Sequence, residues 1–458
     1  MRILKTLQLF LAPAKVATDR ARELEEMDQI LCKASGLDEV LKQILRDING
    51  GKDSKVGRDG VTSEQVLKLG LLRRRHGLRY RELAAVTGDS ISMRGFLNLE
   101  PGKSLSKSAI QGNLKKVKDT TWELASCCLL KYAAAKGIED GKAVRGDTTV
   151  VETNIHHPTD AGLLNDVVRV LCRNMSRARE IAGELVLFTN HRRRAKTKLY
   201  KINNVRGEDR RHPHYLELIR VTRDTVEDAQ RVLAALELYT SGDFFEMLRM
   251  EGIKYELKTY IPLGKRVVHQ AHRRIVKNEQ LPVSEKIVSI FETHTDIIVK
   301  GFRDVIFGHK IMLTTGRSGL LFTLKVLDGN PKDSTLVAET LAELTKRCGG
   351  TPVAAAFDGC FASSKNRDQA KSVGVKELTF SKNGSMDLSS LVSSPKMHKA
   401  LRNFRAGVEG CISFMKRVFG FSRVLDKTQE TFSAALQMGA FAYNLTMLAR
   451  ISLAQSAS

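Results

Sequence analysis

The feature that most constrains this chain is a strand signal standing alone in a helical context. The segment KAVRGDTTVVET, residues 142–153, is rich in β-branched residues and carries an internal glycine, which reads as a strand. Strand signals return only from residue 308. There GHKIMLTT and LLFTLKVLDG flank Gly316-Arg317-Ser318-Gly319 as a hairpin, TPVAAAFDG reads as a short buried strand, and VKELTF as another. Helical stretches lie between and after them: Ser334 to Lys346 with Asp333 as the expected cap, Ser363 to Ser372, and Lys396 to Val418. With the intervening helical block at 161–297 taken as an insertion, the strands collect into a mixed sheet of about five strands covered by helices, an α/β layer architecture.

The remainder reads as helices. Residues 1–50 end at the Asn49-Gly50-Gly51 turn, and the basic loop KDSKVGRDG follows. Three short helices are expected over 61–99. Thr62 or Ser63 caps EQVLKLGLLRRRH, which Gly77 ends; RYRELAAV is stopped by Thr87-Gly88; Asp89 or Ser90 caps ISMRGFLNL. Helix–turn–helix modules have this shape, and a basic third helix carrying Arg94 could enter a major groove. Residues 104–136 are helical again. MRILKTLQLFLAPAKVA has a basic start and a short apolar run, but Gln8 interrupts it, so it reads as an ordinary helix start. The apolar stretch Phe432 to Ala454 contains Gln437, Asn444 and Arg450 and reads as a core helix, not a membrane span.

Charge narrows the partner. Across 458 residues the formal net charge is +23, too large an excess for an ordinary metabolic enzyme. It favours a polyanion, because Lys and Arg neutralise phosphates and release counterions. Basic clusters gather in the helical block: HRRRAKTK with Arg192, Arg193 and Arg194, RGEDRRHPH, and GKRVVHQAHRRIVK with Arg273 and Arg274. The seven cysteines are scattered and form no CxxC pair. They are expected to be reduced, mostly buried thiols of a cytosolic protein.

Three carboxylates stand where an α/β core of this order would bring them together. Asp147 lies in the first strand, Asp358 at the end of AAAFDG, and Glu409 in the long helix AGVEGCISFMKR. Ligands gather at strand ends in open α/β sheets, and phosphodiester cleavage uses hard oxygen ligands to hold two divalent ions about 3.5–4 Å apart. At about 100° per residue, Arg402, Arg405 and Lys416 fall within about 40° of Glu409 around the helix. Leu401, Phe404, Val408, Ile412, Met415 and Phe419 form a neighbouring apolar stripe. One carboxylate among three cations suits a phosphate site, with an Arg405–Glu409 helix pair as the plainer alternative. Glu152, five residues after Asp147, points to the opposite face of the strand. Asp160 reads as a helix cap. His156, His157 and His309 have no partner at metal-ligand spacing.

These motifs resemble those of DDE-type insertion-sequence transposases, especially the ISNCY group. GDTTVVETNIHHPTDAGLL is similar to their first catalytic motif, AFDGCFASSKNRDQAKSVGVKEL to their second, and RNFRAGVEGCISFMKRVFG to their third. Related enzymes carry Tyr, two residues, Arg, three residues, Glu, six residues, Lys in the third motif. Arg405, Glu409 and Lys416 keep that spacing, and Arg402 stands at the Tyr position. The resemblance spans most of the chain and implies a ribonuclease-H-like core at 140–160 and 298–425. It also implies an N-terminal helical DNA-binding domain at 1–136, a basic helical insertion at 161–297 and a C-terminal helix at 426–458 packing on the core. It further implies that Asp147, Asp358 and Glu409 hold two Mg²⁺ or Mn²⁺, and that water attacks the element end to free a 3′-hydroxyl, which then joins target DNA. Arg405 and Lys416 would contact phosphates, and the N-terminal helices would recognise terminal inverted repeats. The enzyme would act as a homo-oligomer in the cytoplasm, with no membrane and no small-molecule cofactor. Two alternatives remain open: a ribonuclease-H-like nuclease that does not join, and a transposase-derived DNA-binding protein without catalysis.

Overall fold

The computed structural model of the chain describes residues 18–51, 60–100, 102–300, 304–381 and 386–457. The expected helix start in MRILKTLQLFLAPAKVA and nearly all of KDSKVGRDG lie outside those residues. The chain divides into two compact units, one comprising the residues up to Asn154 and from Ile298 onward, the other Ile155–Ile297.

In the first unit the N-terminal half is helical: α1 Asp19–Lys33, α2 Leu37–Asn49, α3 Ser63–Arg75, α4 Tyr80–Asp89, α5 Ile91–Phe96, α6 Lys107–Leu114 and α7 Asp119–Ala135. Local chemistry sets their ends. Gly50 closes α2 in the left-handed region, where a side chain would be strained. Thr62 and Gln65 form a reciprocal capping box at the start of α3. Helix α4 runs past Thr87 to Asp89, because the Thr87 hydroxyl donates to the Leu83 carbonyl and so stays compatible with the helix. Helix α5 has only six residues.

Six strands follow: β1 Ala143–Glu152, β2 Asp296–Lys300, β3 Asp304–Thr315, β4 Leu321–Val326, β5 Ala354–Phe357 and β6 Glu377–Phe380. The sheet order is β2-β3-β1-β5-β6, with β4 also paired to β3. Strand β1 is antiparallel to β3 and parallel to β5, β3 is antiparallel to β4, and β5 is parallel to β6. The sequence predicts about five strands; β2 escapes it because its short apolar run, IIV, sits in a charged context. Helices α12 Val337–Cys348, α13 Ser364–Ser372, α14 Pro395–Val418 and α15 Gln429–Ala457 complete the unit. Asp333 does not cap α12. Leu336 holds that position and Asp333 opens a preceding 3-10 turn, which frees its carboxylate for the sheet.

One apolar core joins α1–α7, the sheet and α15. Gln437, Asn444 and Arg450 of the apolar C-terminal stretch each serve that packing. Asn444 donates to the Leu321 carbonyl and accepts its N–H, both at 2.8 Å, so a side-chain amide covers the free edge of β4. Gln437 donates to the Leu324 carbonyl, and Arg450 pairs with Glu23 of α1. Among the described residues no helix is long and apolar enough to cross a membrane. Among the cysteines only Cys128 and Cys172 are buried, and Cys32 and Cys360 are exposed; the reading of mostly buried thiols does not hold.

The second unit is built by α8 Asp160–Ala182, α9 Arg192–Asn204, α10 Glu208–Glu237 and α11 Phe244–Ala271 around an apolar core of its own. Thr159, not Asp160, caps α8; Asp160 is buried and accepts from Gln270 and Arg274.

Strands β1 and β3 leave no room for a side chain at one position. Gly308 faces Glu152, and a Cβ there would lie 2.0 Å from the Val151 carbonyl oxygen. Replacing a strand glycine by alanine ordinarily gains about 0.5–1 kcal/mol, but main chain cannot yield as a side chain does. Gly308→Ala is therefore expected to destabilise the protein by about 3 kcal/mol, the upper end of overpacking costs, read as a lower denaturation midpoint with unchanged slope.

Candidate active site

Register places the first two acids side by side. Strands β1 and β5 pair in parallel, with Arg145 opposite Ala356. Two residues further along, the same register sets Asp147 beside Asp358, the residue that follows β5 and caps a 3-10 turn. Adjacent strands are about 4.8 Å apart, so residues 211 apart in sequence become neighbours.

Helix α14 brings the third acid. It packs against β1, β5 and β6 with the apolar stripe read from the sequence: Leu401, Val408, Met415 and Phe419 are buried, Phe404 and Ile412 partly so. Arg145 fastens it. This buried strand arginine donates to the Thr315 hydroxyl at 2.9 Å and to the Phe404 carbonyl of α14 at 2.7 Å, while lying over the Phe404 ring. Gly407 allows the approach, since a Cβ there would lie 2.0 Å from Arg145 Nη1.

The acids converge on one guanidinium. Arg405 Nη2 lies 2.8 Å from Asp147 Oδ2 and 3.6 Å from Asp358 Oδ1, and Nη1 lies 2.6 Å from Glu409 Oε1. Arg405 is largely buried, whereas the Glu409 side chain is 65% exposed. Burial pushes the Asp147 carboxyl above its ordinary range. Arg405 and the Thr148 N–H oppose that shift, and Asp358 and Asp333 add to it. The Asp147 carboxyl is thus displaced upward although it touches a guanidinium, because burial outweighs that contact. Among the described residues no three His, Cys, Asp or Glu side chains meet closely enough to hold a metal ion; the acids here surround Arg405. The donor set is nonetheless all carboxylate oxygen, and Asp147 and Asp358 aim at one point, an arrangement that fits a hard divalent cation.

Sequence reasoning missed the residues that support this centre. Arg145 shares the Asp147 face of β1, and a cation inside a buried strand was the available signal. Thr148 donates from its N–H to Asp147 and from its hydroxyl to Asp333, which Lys310 pairs at 2.7 Å. No sequence signal tied Asp333 to β1.

Arg402 is exposed and Lys416 half-buried on α14. Arg94 donates to the carbonyls of Gly88, Glu100 and Lys103, so it clamps a loop. In the second unit Arg192 and Arg193 are exposed at the start of α9, Arg194 pairs with Glu217, Arg273 with Glu279 and Glu285, and Arg274 with Asp160. Glu152, on the opposite face from Asp147, pairs with Arg423.

Residues 303–445 match the family model of the transposase DDE domain. The match takes in Asp358, Arg405 and Glu409, and it begins after Asp147. No curated protein and no solved structure matches the chain.

Two outcomes follow from the geometry. Arg145→Met removes the hydrogen bonds of a charged donor to Thr315, Phe404 and Cys411 and is expected to cost about 3 kcal/mol, measured by chemical denaturation. Asp147 is the less usual case of a carboxyl whose pKa rises on folding. The folded state favours its neutral form, so the stability it contributes is present at low pH and lost as pH rises through the raised value. Asp147→Asn should thus melt higher than wild type at pH 7, with the difference closing on acidification into the carboxylate range; a constant difference across pH would contradict the assignment.

Proposed function

We propose, for a chain that carries a transposase DDE domain, that Asp147, Asp358 and Glu409 are the catalytic carboxylates of a metal-dependent enzyme that cleaves DNA at the ends of an insertion sequence and joins it to a target. The observation carrying this reading is the convergence of three acids, from β1, the end of β5 and α14, on the single guanidinium of Arg405. The sheet supports it: an antiparallel β4-β3-β1 set continued by β5 and β6 parallel to β1 fits a ribonuclease-H-like core. The spelling of the three motifs supports the ISNCY group.

Asp147, Asp358 and Glu409 would hold Mg²⁺ or Mn²⁺, which supplies the charge that activates the attacking oxygen and stabilises the leaving one. Arg405 gathers the carboxylates, and Arg145 and Lys310 hold the elements that present them. Lys416 and Arg402, on the same helix as Glu409, meet the DNA phosphates beside the cut, and the exposed Arg192 and Arg193 give the second unit a basic surface of its own. The N-terminal helices, residues 1–136, recognise the terminal inverted repeats. Two ends must be paired, so the working form is a homo-oligomer, acting in the cytoplasm.

The test is a supercoiled plasmid carrying the gene with its native flanks, incubated with the protein and Mg²⁺ or Mn²⁺. Wild type should cut at the element ends and give joined products. Asp147→Asn, Asp358→Asn and Glu409→Gln should each lose more than about 100-fold, beyond the 10–100-fold typical of residues that only orient metal ligands. Cleavage without joining would favour a nuclease, and DNA binding with no cleavage by any form would favour a protein that only binds.

A further inference from the structure

A second charged cluster in the first unit has the opposite imbalance. At the end of α3, Arg73 and Arg74 are both buried and share one carboxylate, Asp426, from the connection between α14 and α15. Arg73 takes the better bond, 2.9 Å, with Arg74 at 3.5 Å. The remaining capacity of Asp426 goes to the Tyr80 hydroxyl, whose ring also stacks on Arg73. The Nε of each arginine is buried and finds no hydrogen-bond partner. Two guanidinia thus face one carboxylate out of water, and a buried charge without its counterion is strongly unfavourable. The position is built for Arg74: Gly420, at φ 77°, has no room for a Cβ, which would lie 2.9 Å from Arg74 Nη1.

The pair lines a pocket of about 430 Å³, within the range of roughly 300–1,000 Å³ usual for ligand sites. Its rim adds the exposed cations Arg79, Lys115 and Lys427. Arg423, also in the lining, is already matched by Glu152. Asp426 is the only acid among the lining residues. Burial, with Arg73 beside it, brings the Arg74 guanidinium down to about 10, the mark of a cation short of negative charge.

We infer that this pocket binds a phosphate group of the nucleic-acid backbone, through Arg73 and Arg74 at its floor and Lys115 and Lys427 at its rim. Planar guanidinium forks suit phosphate oxygens, and lysines add charge without fixed geometry. A phosphate held there positions the DNA and carries no sequence information. It lies outside the carboxylate centre, and it rests on the proposed function only in taking the phosphate's source to be DNA.

The experiment uses the full-length protein in two measurements. In the first, a labelled duplex of arbitrary sequence is titrated at several salt concentrations. Wild type is compared with Arg74→Gln, which removes one guanidinium charge from the floor, and with the double variant Lys115→Gln/Lys427→Gln, whose exposed sites do not bear on folding. In the second, inorganic phosphate is tested for thermal protection against chloride at equal ionic strength. The expected result is DNA affinity lowered several-fold in both variants. The slope of log affinity on log salt should be shallower by about 0.9 for each phosphate that is no longer neutralised, and phosphate protection should be reduced with it. Reduced protection with unchanged DNA affinity would overturn the DNA assignment and make the ligand a free phosphate or nucleotide. Variants indistinguishable from wild type in both measurements would leave the arginine pair a purely structural tie between α3 and Asp426 and overturn the site. If Arg74→Gln fails to fold, the rim variant decides alone. Because Asp358→Asn leaves the pocket intact, running the binding series in that background separates failure of this site from failure of the catalytic reading.

Discussion

The structure around the carboxylate centre depends on one guanidinium. Three carboxylates brought together without a cation would repel one another and lose hydration, and the upward displacement of Asp147 shows that stress even with Arg405 in place. Arg405 can reach all three only because α14 is seated on the sheet at one angle and depth. That seat is held by Arg145, which reaches from β1 to a carbonyl of the helix through the space left by Gly407. Two arginines therefore carry the geometry, one beneath the helix and one beside the acids.

The net charge of +23 is distributed in opposite senses at two places in the same unit. The centre formed by Asp147, Asp358 and Glu409 has more negative charge than its single close cation offsets. The pocket at Arg73 and Arg74 has more positive charge than Asp426 offsets. In each case burial is the leading cause of the displaced proton affinity, upward for the acid and downward for the arginine. A divalent cation would answer the first imbalance and a phosphate the second, and the proposed metal-dependent action on DNA would bring both. Three of the other basic residues singled out from the sequence, Arg194, Arg273 and Arg274, are matched locally by acids and contribute little to such an imbalance.

Elements with strong local signals were legible. The end of α2 at Gly50, the capping box of α3, the Gly316–Gly319 hairpin turn and the apolar stripe of α14 all rest on interactions within a few residues, which sequence encodes directly. Strand β2 is hidden because a three-residue apolar run in a charged setting has no periodicity of its own. Asp333 misleads for a related reason: its position before a helix suggests a cap, but Thr148 and Lys310 approach from distant strands and claim it. Arg94 looks like a surface cation for a groove, and its guanidinium is spent on three backbone carbonyls. Side-chain direction on so short a helix is set by the loop that folds over it.

By itself the sequence determined most of the element types, the helical stretch between the first strand and the rest and the excess of positive charge, and it offered three acids as candidates for metal chemistry. These follow from composition, periodicity and short spacings, each a property of neighbouring residues. Tertiary structure decided the rest. Parallel pairing of β1 with β5 set Asp147 beside Asp358, packing of α14 brought Arg405 among the acids, and the closing of the α14–α15 connection on α3 left two arginines with one carboxylate. Each joins residues hundreds of positions apart, and their meeting is fixed by sheet register and helix packing, which no local pattern in the chain encodes.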